Sequence, residues 1–182
     1  MNLSNIRLPR QLEADDTAGT VRRVLMDRTV KLWQGGVLDV PLVAMRDPLK
    51  KALVNARLKG QVRCGFEEIL ARLENEGRGI ESVRERKGIP GGDRISRLLL
   101  FSDDGAERFY RNVEQLLQAQ SSRVLGCLLD IDGNALGRLI TGKERVVKLV
   151  MAEHKEAVSA ILRAIAAGHD AVSSTPGGVL GH

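Results

Sequence analysis

Aromatic residues make up only 3% of the 182-residue chain: one Trp, one Tyr and three Phe. A core made by this sequence must therefore come from Leu, Val, Ile and Ala, and the platforms on which single-strand binders stack bases are scarce. Cysteine is equally rare. Cys64 and Cys127 stand far apart without a CxxC pairing, in apolar surroundings that point to buried, reduced thiols. His154, His169 and His182 have no Cys or carboxylate at ligand spacing, so neither a metal nor another cofactor is expected. The chain also lacks an apolar run of membrane-spanning length and a signal-peptide pattern. The expectation is a soluble, cytoplasmic protein with no membrane partner.

What is present is a 43% apolar composition, sufficient for a core, and a net charge of +5. That charge favours a polyanionic or neutral partner over a cationic one. It is concentrated: residues 50 to 97 hold twelve Lys/Arg against seven Asp/Glu, which accounts for the whole excess. A solvated helix face with alternating charges explains such a run as readily as a binding surface does.

Residues 1–46 read as a β-rich extension, from the β-branched segments VRRVLMD (21–27), VKLW (30–33) and VLDVPLVAM (37–45). Asp47 and Pro48 read as an N-cap and first helical residue opening a helix to Leu58. A short strand at 61–64 leads through Gly65 into a helix striped by Phe66, Ile69, Leu70 and Leu73. GRGIESVRERKGIPGGD (77–93) has no clear period and five glycines, and reads as a flexible loop. Its GIPGGDR portion (88–94) lacks the Gly-Lys-Ser/Thr ending of a phosphate loop. The runs 97–103, 123–131 and 146–152 read as buried strands lying side by side, with helices between them and a last helix ending at Gly168. Residues 169–182 read as a disordered tail. Buried strands alternating with helices imply an α/β fold: a three-layer α/β/α sandwich over residues 47–168, with a short mixed sheet.

The sharpest enzyme-like signal is LLDIDGNAL (128–136). It resembles the first motif of the haloacid dehalogenase phosphatases, which implies Asp130 as nucleophile, Asp132 as proton donor and magnesium beside them. The chemistry also needs a lysine for the phosphoryl group and a later acidic pair for the metal. No such pair follows Asp132 at a strand end, and Asp103-Asp104 lies upstream. As a calcium loop the segment fails, because Ala135 replaces the turn glycine and Thr141 the closing glutamate. A strand-to-helix loop capped by Asp132 or Asn134 is the plainer account, and phosphatase turnover is not expected.

The remaining signal is an order of elements. ARLKGQVRCGFEEILARL (56–73), RLLLFSDDGAE (97–107) and ALGRLITGKERVVKLVMAE (135–153) together resemble the kink-turn RNA-binding ribosomal protein superfamily. Large-subunit proteins seven-Ae and thirty-e belong to it, with related domains in release factors and pelota-like proteins. The resemblance covers about residues 48–168. It implies a non-catalytic domain that binds structured RNA, in a ribosome- or translation-associated role, with Gly65 and Glu68 matching the family's Gly-x-Asn-Glu run. Glu67 stands where Asn is usual, and Ala71 where a basic residue often lies. The RNA-binding edge expected on this basis comprises Lys59, Arg63, Gly65, Glu68, Arg138, Lys143 and Arg145. Alternatives are a magnesium-dependent phosphoryl-transfer enzyme using Asp130 and Asp132, or a protein-interaction module that makes contact through the N-terminal extension.

Overall fold

Three continuous apolar runs form the centre of a single six-stranded sheet: Arg97–Phe101 (β4), Val124–Leu129 (β5) and Leu149–Ala152 (β6). The computed structural model describes residues 2–88 and 93–173. β4 is parallel to β5 and antiparallel to β6, so the side-by-side arrangement expected for these runs is observed. Beyond β5 the sheet continues through Val40–Val43 (β2), parallel to β5, and ends at Thr29–Val30 (β1). Beyond β6 lies the opposite edge strand, Val62–Cys64 (β3), antiparallel to β6.

The runs are continuous because both faces of the sheet are covered. Leu98, Leu100, Leu125, Cys127, Leu129, Val150 and Ala152 belong to one core. Leu99, Phe101, Val124, Leu149 and Met151 belong to the other. The first face carries Thr17–Asp27 (α2), Asp47–Leu58 (α3), Gly133–Thr141 (α6) and Lys155–Ser173 (α7), with Arg10–Ala14 (α1) packed on α2. The second carries Phe66–Lys87 (α4) and Glu107–Ala119 (α5). The architecture is a three-layer α/β/α sandwich on a mixed sheet. Burial pushes the Cys127 thiol up to about 12, which keeps it protonated and unreactive at neutral pH.

The N-terminal segment differs from its expected β character. Residues 21–27 are helical, because Ala18, Val21 and Leu25 are buried at helical spacing while Arg22, Arg23 and Asp27 face outward or half outward. The strand expected at 30–33 is only Thr29–Val30, and Leu32 and Trp33 turn inward to the second core. β2 is a strand of the main sheet rather than of a separate one. Asp47 is the first residue of α3 and makes no side-chain cap, with Pro48 one place further in.

The loop expected from residue 77 is also corrected. α4 runs on to Lys87 and stops at Gly88, whose φ of 59° is left-handed. Local polar pairs, Arg72 to Glu76 and Arg86 to Ser82, support helix where no apolar period is visible. Residues 89–92 of that stretch lie outside the described residues. At the other end of the chain, α7 continues past Gly168 to Ser173, so 169–173 are helical, and the rest of the expected tail is outside the described residues.

One buried carboxylate organises the loop between β1 and β2. Glu114, 5% exposed, accepts from the Trp33 indole at 2.7 Å and from the backbone amides of Val37 and Leu38 at 2.8 Å each. Burial alone would raise its pKa, but these donors and Lys31 more than offset that and hold it below the ordinary value. The stabilisation is therefore present above the unfolded carboxyl pKa and is lost as pH falls through the depressed folded one. Glu114→Gln should cost about 1–3 kcal/mol in urea unfolding at pH 7, with the gap to wild type closing in acid. In the exposed half of α4, a Cβ added at Gly79 meets no atom within 4 Å. Gly79→Ala should stabilise by about 0.5–1 kcal/mol in the same assay.

Candidate nucleic-acid interface

Because β2, β5, β4 and β3 share one direction, their carboxyl ends meet at one edge of the sheet, beside the start of β6. α3, α4, α5 and α6 all begin at that edge, each directly following one of these strands. Their first-turn amides point outward there with partial positive charge.

Gly65 forms the β3–α4 junction. Its φ of 98° with ψ of 131° is closed to residues with a Cβ in practice, although an added Cβ would meet nothing within 4 Å. Its amide donates to the Leu149 carbonyl at 3.2 Å, and its carbonyl accepts from Ile69 at 3.1 Å. The first of these bonds ties the junction to the end of the α6–β6 loop. No side chain caps the start of α4.

The structure brings Arg63, Gly65 and Glu68 together at this junction. Arg63 donates through Nη1 to Glu68 at 2.9 Å, and through Nε and Nη2 to the two oxygens of Glu153 at 3.1 and 3.3 Å. Hydrogen bonding to Glu153, followed by its charge and then by Glu68, raises the guanidinium pKa above its already high value. Arg138, Lys143 and Arg145 are exposed on α6 and its following loop, with Arg138 lying 3.4 Å from Glu144. Gly137 explains why that loop lies where it does: a Cβ there would fall 1.5 Å from the Arg145 carbonyl oxygen, so only glycine admits the loop. Lys59 stands apart. It follows α3 at the opposite end of β3 and lines a recess of about 270 Å³ with Lys51, Asn55, Gln61 and Glu156.

The centre of the edge is acidic. Asp103 and Asp104 follow β4, and Asp130 and Asp132 follow β5. Three of these carboxylates have backbone partners. Asp130 accepts from Met45 at 2.6 Å, Asp132 caps α6 through Ala135 at 2.8 Å, and Asp104 accepts from Gly133 at 3.0 Å. Lys148 also donates to the Asp104 carbonyl at 2.8 Å. Among the described residues, no group of His, Cys, Asp and Glu is arranged to hold a metal ion. Sequence reasoning missed Lys148 and Glu153, since a charge beside a buried apolar strand gives no sign of its distant partner.

No protein-family model matches the sequence, and no curated protein matches it. Among solved structures, the chain is similar to the Giardia lamblia 15.5kD RNA binding protein. The two are 16% identical, with 69% of this chain and 87% of that chain covered and a TM-score of 0.45. No described helix is long and apolar enough to cross a membrane.

The acidic centre yields a test of its own. Partial desolvation of this largely exposed carboxyl, and then the charge of Asp104 with smaller effects from Asp130 and Asp132, raises the Asp103 pKa above its ordinary value. Its ionised form is disfavoured in the fold, so stability declines as pH rises through that window. Asp103→Asn should raise the Tm at pH 7, and the gain should disappear near pH 3, where the wild-type carboxyl is protonated.

Proposed function

We propose that the chain binds structured RNA at the β3–α4 junction and the adjoining α6–β6 loop. The open backbone face of Gly65 carries this reading. With no side chain at that point, a phosphate or an unpaired base can approach the uncapped amides of the first turn of α4. The loop that carries the exposed cations Lys143 and Arg145, and that follows Arg138 on α6, runs into Leu149, whose carbonyl accepts from the Gly65 amide. The row formed by Asp103, Asp104, Asp130 and Asp132 repels phosphate, so the ligand sits over the β3 side of the edge rather than its centre. Lys59, at the far end of β3, is outside this footprint.

Glu68 is 63% exposed on its side chain and bonds Arg63 through one oxygen, which leaves the other to accept from a base edge. Charge alone would give salt-sensitive binding to any nucleic acid. Recognition of a folded RNA requires an excess over that background, and the backbone approach at Gly65 supplies it. A ribosomal or translation-associated RNA is the ligand class that the sequence resemblance implies.

The experiment is a salt titration of wild type and Gly65→Val against a folded internal-loop RNA and a plain duplex, with circular dichroism confirming that the variant folds. The β-branched side chain blocks the approach and cannot take the Gly65 dihedral angles. Internal-loop affinity should fall by about tenfold or more, roughly 1.4 kcal/mol, while duplex affinity stays as it was. Equal wild-type affinity for both RNAs, with no loss in Gly65→Val, would make the junction a turn only.

A further inference from the structure

We infer that Arg63 is a positioning residue that clamps the β3–α4 junction, and not a phosphate contact; the inference rests on the RNA reading above for its functional consequence. The guanidinium uses all three nitrogens within the protein. Nε and Nη2 form a fork on Glu153 at 3.1 and 3.3 Å, and Nη1 reaches Glu68 at 2.9 Å. A single planar group therefore joins the residue after β6 to edge strand β3 and to the first turn of α4, spanning Gly65. The Glu153 side chain is only 9% exposed, and Arg72 Nε approaches the same carboxylate at 3.6 Å. The Glu153 amide donates to Gln61 at 3.1 Å, which fixes the acid to the other end of the same edge strand.

Two N–H bonds remain, one on each Nη, but a phosphate could take the Nε–Nη2 fork only by displacing a mostly buried carboxylate, which would leave that acid without its main partner. The attraction for phosphate then comes from Lys143, Arg145 and Arg138. Arg63 instead sets where the Gly65 backbone and the Glu68 carboxylate stand. Arg63 and Glu153 should consequently behave alike when mutated, although their charges are opposite.

That equivalence is the test. In salt titrations with the internal-loop RNA, Lys143→Ala and Arg145→Ala should each lower the slope of log affinity against log salt by about 0.7–0.9. Arg63→Ala should leave the slope unchanged while lowering internal-loop affinity by about tenfold, with duplex affinity untouched. Glu153→Gln removes a negative charge yet should weaken internal-loop binding too, and Arg63→Lys, which cannot fork, should lie between wild type and Arg63→Ala. Amide hydrogen exchange at Gly65 and Ile69, whose amides donate to the Leu149 and Gly65 carbonyls, measured without RNA, should accelerate in Arg63→Ala and Glu153→Gln. A slope lowered by about 0.9 in Arg63→Ala, tighter binding in Glu153→Gln, or unchanged exchange at Gly65 and Ile69 would each overturn the clamp. If wild type shows no preference for the internal loop, the RNA reading falls, and the exchange rates alone decide whether the clamp exists.

Discussion

Helix α4 is held to the sheet by two acids. It is 22 residues long and buries fully only Ile69 and Leu73, too little apolar surface to fix such a helix by packing. Glu76 and Glu153 make up the difference. Glu76 accepts from Arg97 at 3.1 Å and from Arg123 at 2.8 Å, and also holds Arg72 on its own helix at 3.0 Å. Glu153 holds Arg63 and approaches Arg72. The result is a chain of alternating charge running from the edge strand to the start of β4 and the residue preceding β5. Burial works against the Glu76 carboxylate, yet the hydrogen bonds from Arg97 and Arg123 outweigh it and hold its pKa below the ordinary value. Such a lattice contributes little net stability compared with an apolar replacement, but it is directional, and direction is what a long helix over a short sheet needs.

The lattice also accounts for part of the chain's basic character. The Lys and Arg concentrated between residues 50 and 97 fit, from the sequence, a solvated helix face as readily as a surface for a polyanion. In the fold, Arg63, Arg72 and Arg97 are turned toward Glu76 and Glu153, with Arg123 joining them from outside that window. The carboxyl edge of the sheet divides accordingly. Its centre, at the ends of β4 and β5, is acidic, whereas its β3 flank is tied through Leu149 to the end of the loop that carries Lys143 and Arg145. Net charge indicates a class of partner, but the fold decides where that partner can lie.

The central sheet was legible because the three runs that form it are buried on both faces, and continuous apolar sequence has few other uses. The errors arose where one local signal overrode another. Val21 and Val24 suggested strand, although the burial of Ala18, Val21 and Leu25 is helical and is completed by packing against α7. Gly77, Gly79 and a dense charge pattern suggested a loop in what is a helix supported by local polar pairs. Of the site, Gly65 and its junction could be read locally, as could the cap at Asp132. The Arg63–Glu153 pair could not, because its members are 90 residues apart and meet only through the β3–β6 pairing. Lys59 is near the junction in sequence, but a three-residue strand separates the two ends.

Gly137 has a consequence beyond packing. The Arg145 carbonyl rests where any side chain on that helical turn would stand, and the Val147 amide donates to the Gly133 carbonyl at 2.9 Å. The return from α6 to β6 is thus moulded on the helix along much of its length. The entropy of ordering it is spent when the chain folds rather than when a ligand arrives. A partner reaching Lys143 and Arg145 meets a rigid presentation, and association through this loop should proceed by docking of preformed surfaces rather than by coupled folding.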